Sequence, residues 1–164
     1  MQQIIPGLWL GPRPDESQVE HLRKKNISSI LTIEKTPLPM RLPSFKRMFI
    51  SIDDLPGENI FVHFEKAFNF IDANISRGST GRSRSATIVI GYLMWRTKLS
   101  YERVFEEVSR IREIWPNIGF ELQLKYFERR HFTFDTTSRA YRLLLVRLRL
   151  LSMTNRALRF LLSF

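Results

Sequence analysis

A chain of 164 residues, 43% hydrophobic and 12% aromatic, is long enough for one domain with a packed core. It contains no cysteine, which excludes disulfides, thiolate zinc sites and cysteine nucleophiles. The net charge is +10, and six units of it fall in residues 139–164, where six arginines stand with no acidic residue; no run reaches the ~18 apolar residues that read as a bilayer span. The opening "MQQIIPGLWLGPRPDE" lacks the basic and long apolar regions of a signal peptide, so the expected location is cytoplasmic or nuclear.

In chain order, "LWLG" reads as a short strand, followed by a turn at "PRPDES" and a short helix over 16–25 that carries Val19 and Leu22. "ISSILTI" (27–33) is a buried strand, the Pro-rich "KTPLPMRLPSF" a loop, and "RMFISI" a further strand ending at the polar turn "DDLPGEN". The period then changes. Ile60, Phe64, Ala67, Phe68 and Ile71 share one helical face, with Asn59 placed to cap it. A second helix, Ser85 to Arg96, is apolar nearly all round. Ser100 caps a third that turns Val104, Val108 and Ile111 inward, "WPN" stops it, and 120–130 forms one more. Strands alternating with helices predict an α/β three-layer sandwich with a mostly parallel central sheet. In residues 139–164, Arg142, Arg149 and Arg156 recur every seventh residue on a Leu-rich rod. That end reads either as an interfacial or partner-bound helix, or as a terminal helix docked on the domain or an unstructured end.

The motif that carries chemistry is "STGRSRS" (79–85), where loop amides and a helix N-terminus converge as they do on an anion and Arg84 offers a planar fork of donors. Around it, "STGRSRSATIVIGYLM" resembles the active-site loop and following helix of the dual-specificity protein phosphatases, Cys-x-x-Gly-x-Ser-Arg-Ser. "IIPGLWLG" is similar to the opening strand of that family, "SIDDLPGENIFVHFEKAFNFI" to its general-acid loop and following helix, and "PNIGFELQL" to its late motif, so that the likeness runs over residues 4–130. "LKYFERRHFTFDTTSRAYR" further resembles a subfamily with a zinc-binding tail linked to ribosome assembly.

The resemblance implies a phosphate cradle of Ser79, Thr80, Gly81, Arg82, Ser83 and Arg84, with Arg84 as the clamp. It also implies a general acid at Asp54, with Asp53 adjacent and a slip of one open, and at Ser85 the hydroxyl that serves the thiolate. Asn117, Gly119, Phe120 and Gln123 read as structural. The nucleophilic Cys of the family's Cys-x5-Arg motif falls on Gly78. The apolar strand ending in His-Cys, which leads up to the loop in the family, has no counterpart, because "FIDANISRG" runs straight into "STGRSRS". This reads as a deletion and predicts a sheet short of one central strand.

Ser79 lacks a base to activate it: the three histidines, at 21, 63 and 131, lie outside the loop, and no pair of them has metal-ligand spacing. The expectation is therefore a phosphatase-like domain (1–138) with a basic-apolar tail (139–164), without metal or cofactor and without turnover. The alternative is a non-catalytic module that binds a phosphorylated protein through the loop, or RNA, a ribosomal surface or anionic membrane through the tail. A truncated product without independent function is a further reading.

Overall fold

The computed structural model describes residues 1–12, 16–37, 45–75 and 83–161, with the side chains of all of these except Ser83 and 155–161. The chain opens with a hairpin, β1 (Gln2–Ile5) and β2 (Leu8–Leu10), rather than the single strand read from "LWLG". Gly7, at φ 80°, takes the left-handed position of the turn after Pro6 has fixed its own φ. A single turn of 3-10 helix at Glu16–Gln18 leads into α1 (Val19–Lys24). β3 (Ser29–Glu34) then pairs in parallel with β4 (Lys46–Ser51), in register from Ser29 opposite Lys46 to Glu34 opposite Ser51. Five consecutive residues of β3, Ser29 to Ile33, are buried, as a parallel strand covered on both faces requires. Most of the Pro-rich connection expected before β4 lies outside the described residues.

The helices follow as α2 (Phe64–Asp72), α3 (Ser83–Thr97), α4 (Tyr101–Ile111), α5 (Ile118–Arg129) and α6 (Arg139–Leu161). Ser100 caps α4 by accepting a hydrogen bond from the Arg103 N–H at 3.3 Å. α3 packs against β3 and against α2, α4 and α5, and its residues from Ser85 to Leu93 are buried without a break. An α/β fold results, with the sheet in two pieces. The antiparallel β1–β2 hairpin and the parallel β3–β4 pair are separate two-stranded sheets. Both nonetheless feed one core, in which Ile4, Leu8 and Leu10 join Leu31, Ile33, Ile50 and Ile52. Among the described residues no strand follows Ser51.

The centre of the core is aromatic. Phe64 and Phe68, one turn apart on α2, stack at 5.1 Å, and Phe127 of α5 meets both at 5.4 and 5.8 Å. The face read from the helical period is the buried one: Ile60, Phe64, Ala67, Phe68 and Ile71 are all at most 1% exposed. Asn59, however, does not cap that helix. Its amide donates to the Tyr141 hydroxyl at 2.7 Å, and a 3-10 turn over Phe61–His63 precedes α2. The open N–H of Phe61 is satisfied instead by Gln123 Oε1 at 2.9 Å. Ile111 also departs from expectation at 39% exposed. α4 stops there because Arg112 is extended (φ −148°, ψ 132°), and Ile114, 6% exposed, fills the inward place.

α6 begins at Arg139 and lies on α5, with Tyr141, Leu144 and Leu148 joining the core. No described helix is long and apolar enough to cross a membrane.

Candidate phosphate-binding site

Three pieces of chain meet at the carboxyl end of the parallel pair: the turn after β4, the first turn of α3 and the N-terminus of α5. Gly78, Ser79, Thr80, Gly81 and Arg82 lie outside the described residues, as does the side chain of Ser83, whose backbone opens α3. Arg84, the next residue, is only partly exposed. One arm of its guanidinium donates to the Ile52 carbonyl at 2.9 Å, which ties the helix N-terminus to the strand end two residues before Asp54. Among the described residues this is its one hydrogen bond, and a guanidinium has further donors that suit an anion. Ser85 is buried, 3% exposed, and Thr87 behind it is fully buried with a hydroxyl that finds no hydrogen-bond partner among the described residues.

The adjacent carboxylates have different surroundings. Asp53 faces Lys35 at 3.5 Å, across from the end of β3, in a surface pair whose lysine is 76% exposed and which contributes little. Asp54 accepts a hydrogen bond from the Asn117 side-chain amide at 2.8 Å. The other end of that amide, Asn117 Oδ1, accepts from the Phe120 N–H at 3.0 Å and caps α5. A single Asn thus fixes both the helix end and the carboxylate.

The turn between them is clamped from both sides. Gln123, fully buried, donates to the carbonyls of Glu58 at 2.8 Å and Gly119 at 3.0 Å. Gly119 carries no Cβ because one would stand 1.9 Å from the Pro56 carbonyl oxygen. On the outer side, Gly57 meets Ser152 of α6, where an added Cβ would come within 2.6 Å of the Ser152 Cβ. Gly57, Leu145, Val146, Leu148, Arg149 and Ser152 line a groove of about 400 Å³ there.

Sequence reasoning placed Arg84 and Asp54 in one site, and the structure brings their chain segments together through the Ile52 carbonyl. A backbone acceptor has no sequence signature. Asn117 read only as structural, although its position before "IGF" marks a cap that could reach a neighbouring turn. His63 lies in the 3-10 turn ahead of α2. Burial, and then the nearby Lys66, hold its pKa below the ordinary histidine range, so it is neutral at pH 7. Among the described residues no group of three or more His, Cys, Asp or Glu is placed to hold a metal. Replacing Asn117 by Ala removes the cap and frees Asp54. The expected loss is about 1 kcal/mol, read as an earlier urea midpoint with unchanged slope; an unchanged midpoint would contradict the capping role.

Residues 8–130 match the family described as dual specificity phosphatase, catalytic domain. Dual specificity protein phosphatase 22 of Homo sapiens is 34% identical over 137 residues, covering 79% of this chain and 74% of the relative. Dual specificity protein phosphatase MPK-4 of Drosophila melanogaster is 33% identical over 159 residues, covering 90% of this chain and 41% of the relative. Among solved structures, the human tyrosine phosphatase-like serine/threonine/tyrosine-interacting protein superposes with a TM-score of 0.76 at 32% identity, covering 81% of this chain and 98% of that one. With a family match over residues 8–130 and a relative 34% identical over 137 residues, the chain belongs to the dual-specificity phosphatase catalytic-domain family.

Proposed function

We propose that this chain is a member of the family that binds a phosphorylated protein without hydrolysing it. The observation that carries the reading is the absence of any cysteine in 164 residues, beside a retained Arg84 tethered next to the Asp54 turn. In the family's chemistry a thiolate attacks phosphorus and leaves again when the phosphoryl group is passed to water. A neutral hydroxyl such as that of Ser79 does neither without a base. The separation of the sheet into two ladders supports a missing central strand, lost together with the Cys that would precede Ser79. The remaining apparatus suits capture. The cradle of Ser79 to Arg84 supplies amides and a guanidinium, Asp54 keeps the general-acid position with no leaving group to protonate, and Ser85 has no thiolate to serve. The human relative above is a tyrosine phosphatase-like serine/threonine/tyrosine-interacting protein, which is in keeping with such a role. Residues 1–138 would form the binding unit together with α6, whose Tyr141, Leu144 and Leu148 join the same core and whose Ser152 meets Gly57.

Titration calorimetry with one peptide in phosphotyrosine and unphosphorylated forms tests this. The phosphorylated peptide is expected to bind, and Arg84→Lys, which keeps the charge but loses the fork, to weaken it about 10- to 100-fold. Equal binding of the two peptides, or an unaffected Arg84→Lys, would overturn the proposal.

A further inference from the structure

The outward face of α6 has two properties that the phosphate site leaves unused. Its inner stripe, Tyr141, Leu144 and Leu148, is buried on the domain. About 170° round the helix, at 3.6 residues per turn, runs a second apolar stripe. It consists of Leu143 (64% exposed), Val146 (55%), Leu150 (58%) and Met153 (65%). The spacing of three, four and three keeps these side chains in one line. Arg142 and Arg149 border the line on one edge and Arg147 on the other, all three exposed, and the helix carries no Asp or Glu.

Three occupants can be weighed by charge and polarity. A second copy of α6 would set arginine edge against arginine edge in either orientation, which like-charge repulsion opposes. A nucleic acid would pair with the arginines but offer its phosphates to four exposed apolar side chains. An anionic lipid surface answers both halves, since headgroup charge meets the arginine edges while the stripe enters the acyl boundary. The fold supplies the orientation, because the inner stripe fixes α6 to the domain with this face turned out. We infer that the outward face of α6 docks this protein on anionic membrane surfaces, through Leu143, Val146, Leu150 and Met153 flanked by Arg142, Arg147 and Arg149. This is independent of phosphopeptide capture.

The test is co-sedimentation of the full chain with phosphatidylcholine vesicles, with and without phosphatidylserine. The chain is expected to pellet only with phosphatidylserine and to be released by high salt. Arg142→Ala with Arg149→Ala should lower partitioning about 25-fold, at about fivefold for each arginine, and Val146→Asp with Leu150→Asp should lower it at least as far. Circular dichroism should show both variants folded, since all four positions face solvent. A chain that stays in the supernatant, pellets equally with neutral vesicles, or tolerates the acidic stripe would overturn the inference. So would a dimer, seen by light scattering and abolished by Leu150→Asp, that ignores vesicles: the occupant would then be a second copy. Arg84→Ala should leave pelleting unchanged; its loss would mean that the phosphate loop, not the helix, captures the headgroups.

Discussion

Incubated with para-nitrophenyl phosphate, the chain is expected to release nitrophenolate no faster than its own Arg84→Ala variant. Insertion of an apolar strand ending in His-Cys immediately before Ser79 should raise the rate by at least ~10⁴-fold, the scale on which an enzyme depends on its nucleophile. The reasoning joins two separate facts. Chemically, the sequence has no thiol, and His21, His63 and His131 all stand outside the loop that would need a base. Structurally, the β1–β2 and β3–β4 ladders share a core but not a hydrogen-bonded edge, which leaves the inserted strand two sheets to join. Five added residues would span ~16 Å at ~3.3 Å each, and each large apolar side chain buried between the ladders would add roughly 1.5 to 3 kcal/mol. The restored protein should therefore also melt at a higher temperature. Turnover by the chain as it stands would show that another group attacks phosphorus; a restored protein that is stable but inactive would show that the defect extends beyond the strand.

Gly119→Ala should cost about 3 kcal/mol or more, a large part of the ~5 to 15 kcal/mol that holds such a domain together. The new Cβ would lie 1.9 Å from the Pro56 carbonyl oxygen, 2.6 Å from its carbon and 2.7 Å from its Cα. All three are backbone atoms, so no rotamer change relieves the clash, and α5 has to slide away from the Asp54 turn. Helix propensity works the other way, favouring Ala by at most ~1 kcal/mol, and is outweighed. Gly91→Ala is the control. Its nearest neighbours, Phe68 Cζ at 2.9 Å and Leu124 Cδ2 at 3.2 Å, are side-chain ends that can shift, so its loss should be visibly smaller. Urea denaturation of the two variants gives the order directly; equal midpoints would mean that the α5 to Pro56 contact is looser than described.

Periodicity made the helices legible. The buried line of α2, the Ser100 cap and the unbroken burial of α3 follow from spacing and residue type alone, because a helix makes its hydrogen bonds within itself. What escaped depended on distant chain. Asn59 has the right side chain for a cap, but Tyr141, 82 residues on, takes its amide. Ile111 keeps the inward period, yet one extended residue at Arg112 hands its place to Ile114. The β1–β2 hairpin has no mark in the sequence, since "QQII" has no apolar alternation strong enough to signal a strand. At the site, "SRS" pointed to Arg84 and "DD" to the turn, while the Ile52 carbonyl that joins them and the double role of Asn117 are properties of the fold.

The contacts of α6 with the Asp54 turn bear on the order of synthesis. Gly57 leans on Ser152, and Asn59 is bonded to Tyr141. A chain emerging from the ribosome presents the turn long before either partner exists, and non-local closures of this kind are made late. That turn is therefore among the last parts of the nascent protein to set, and a chaperone that met the chain before α6 would find Phe61 without the Tyr141 ring that packs on it at 5.6 Å.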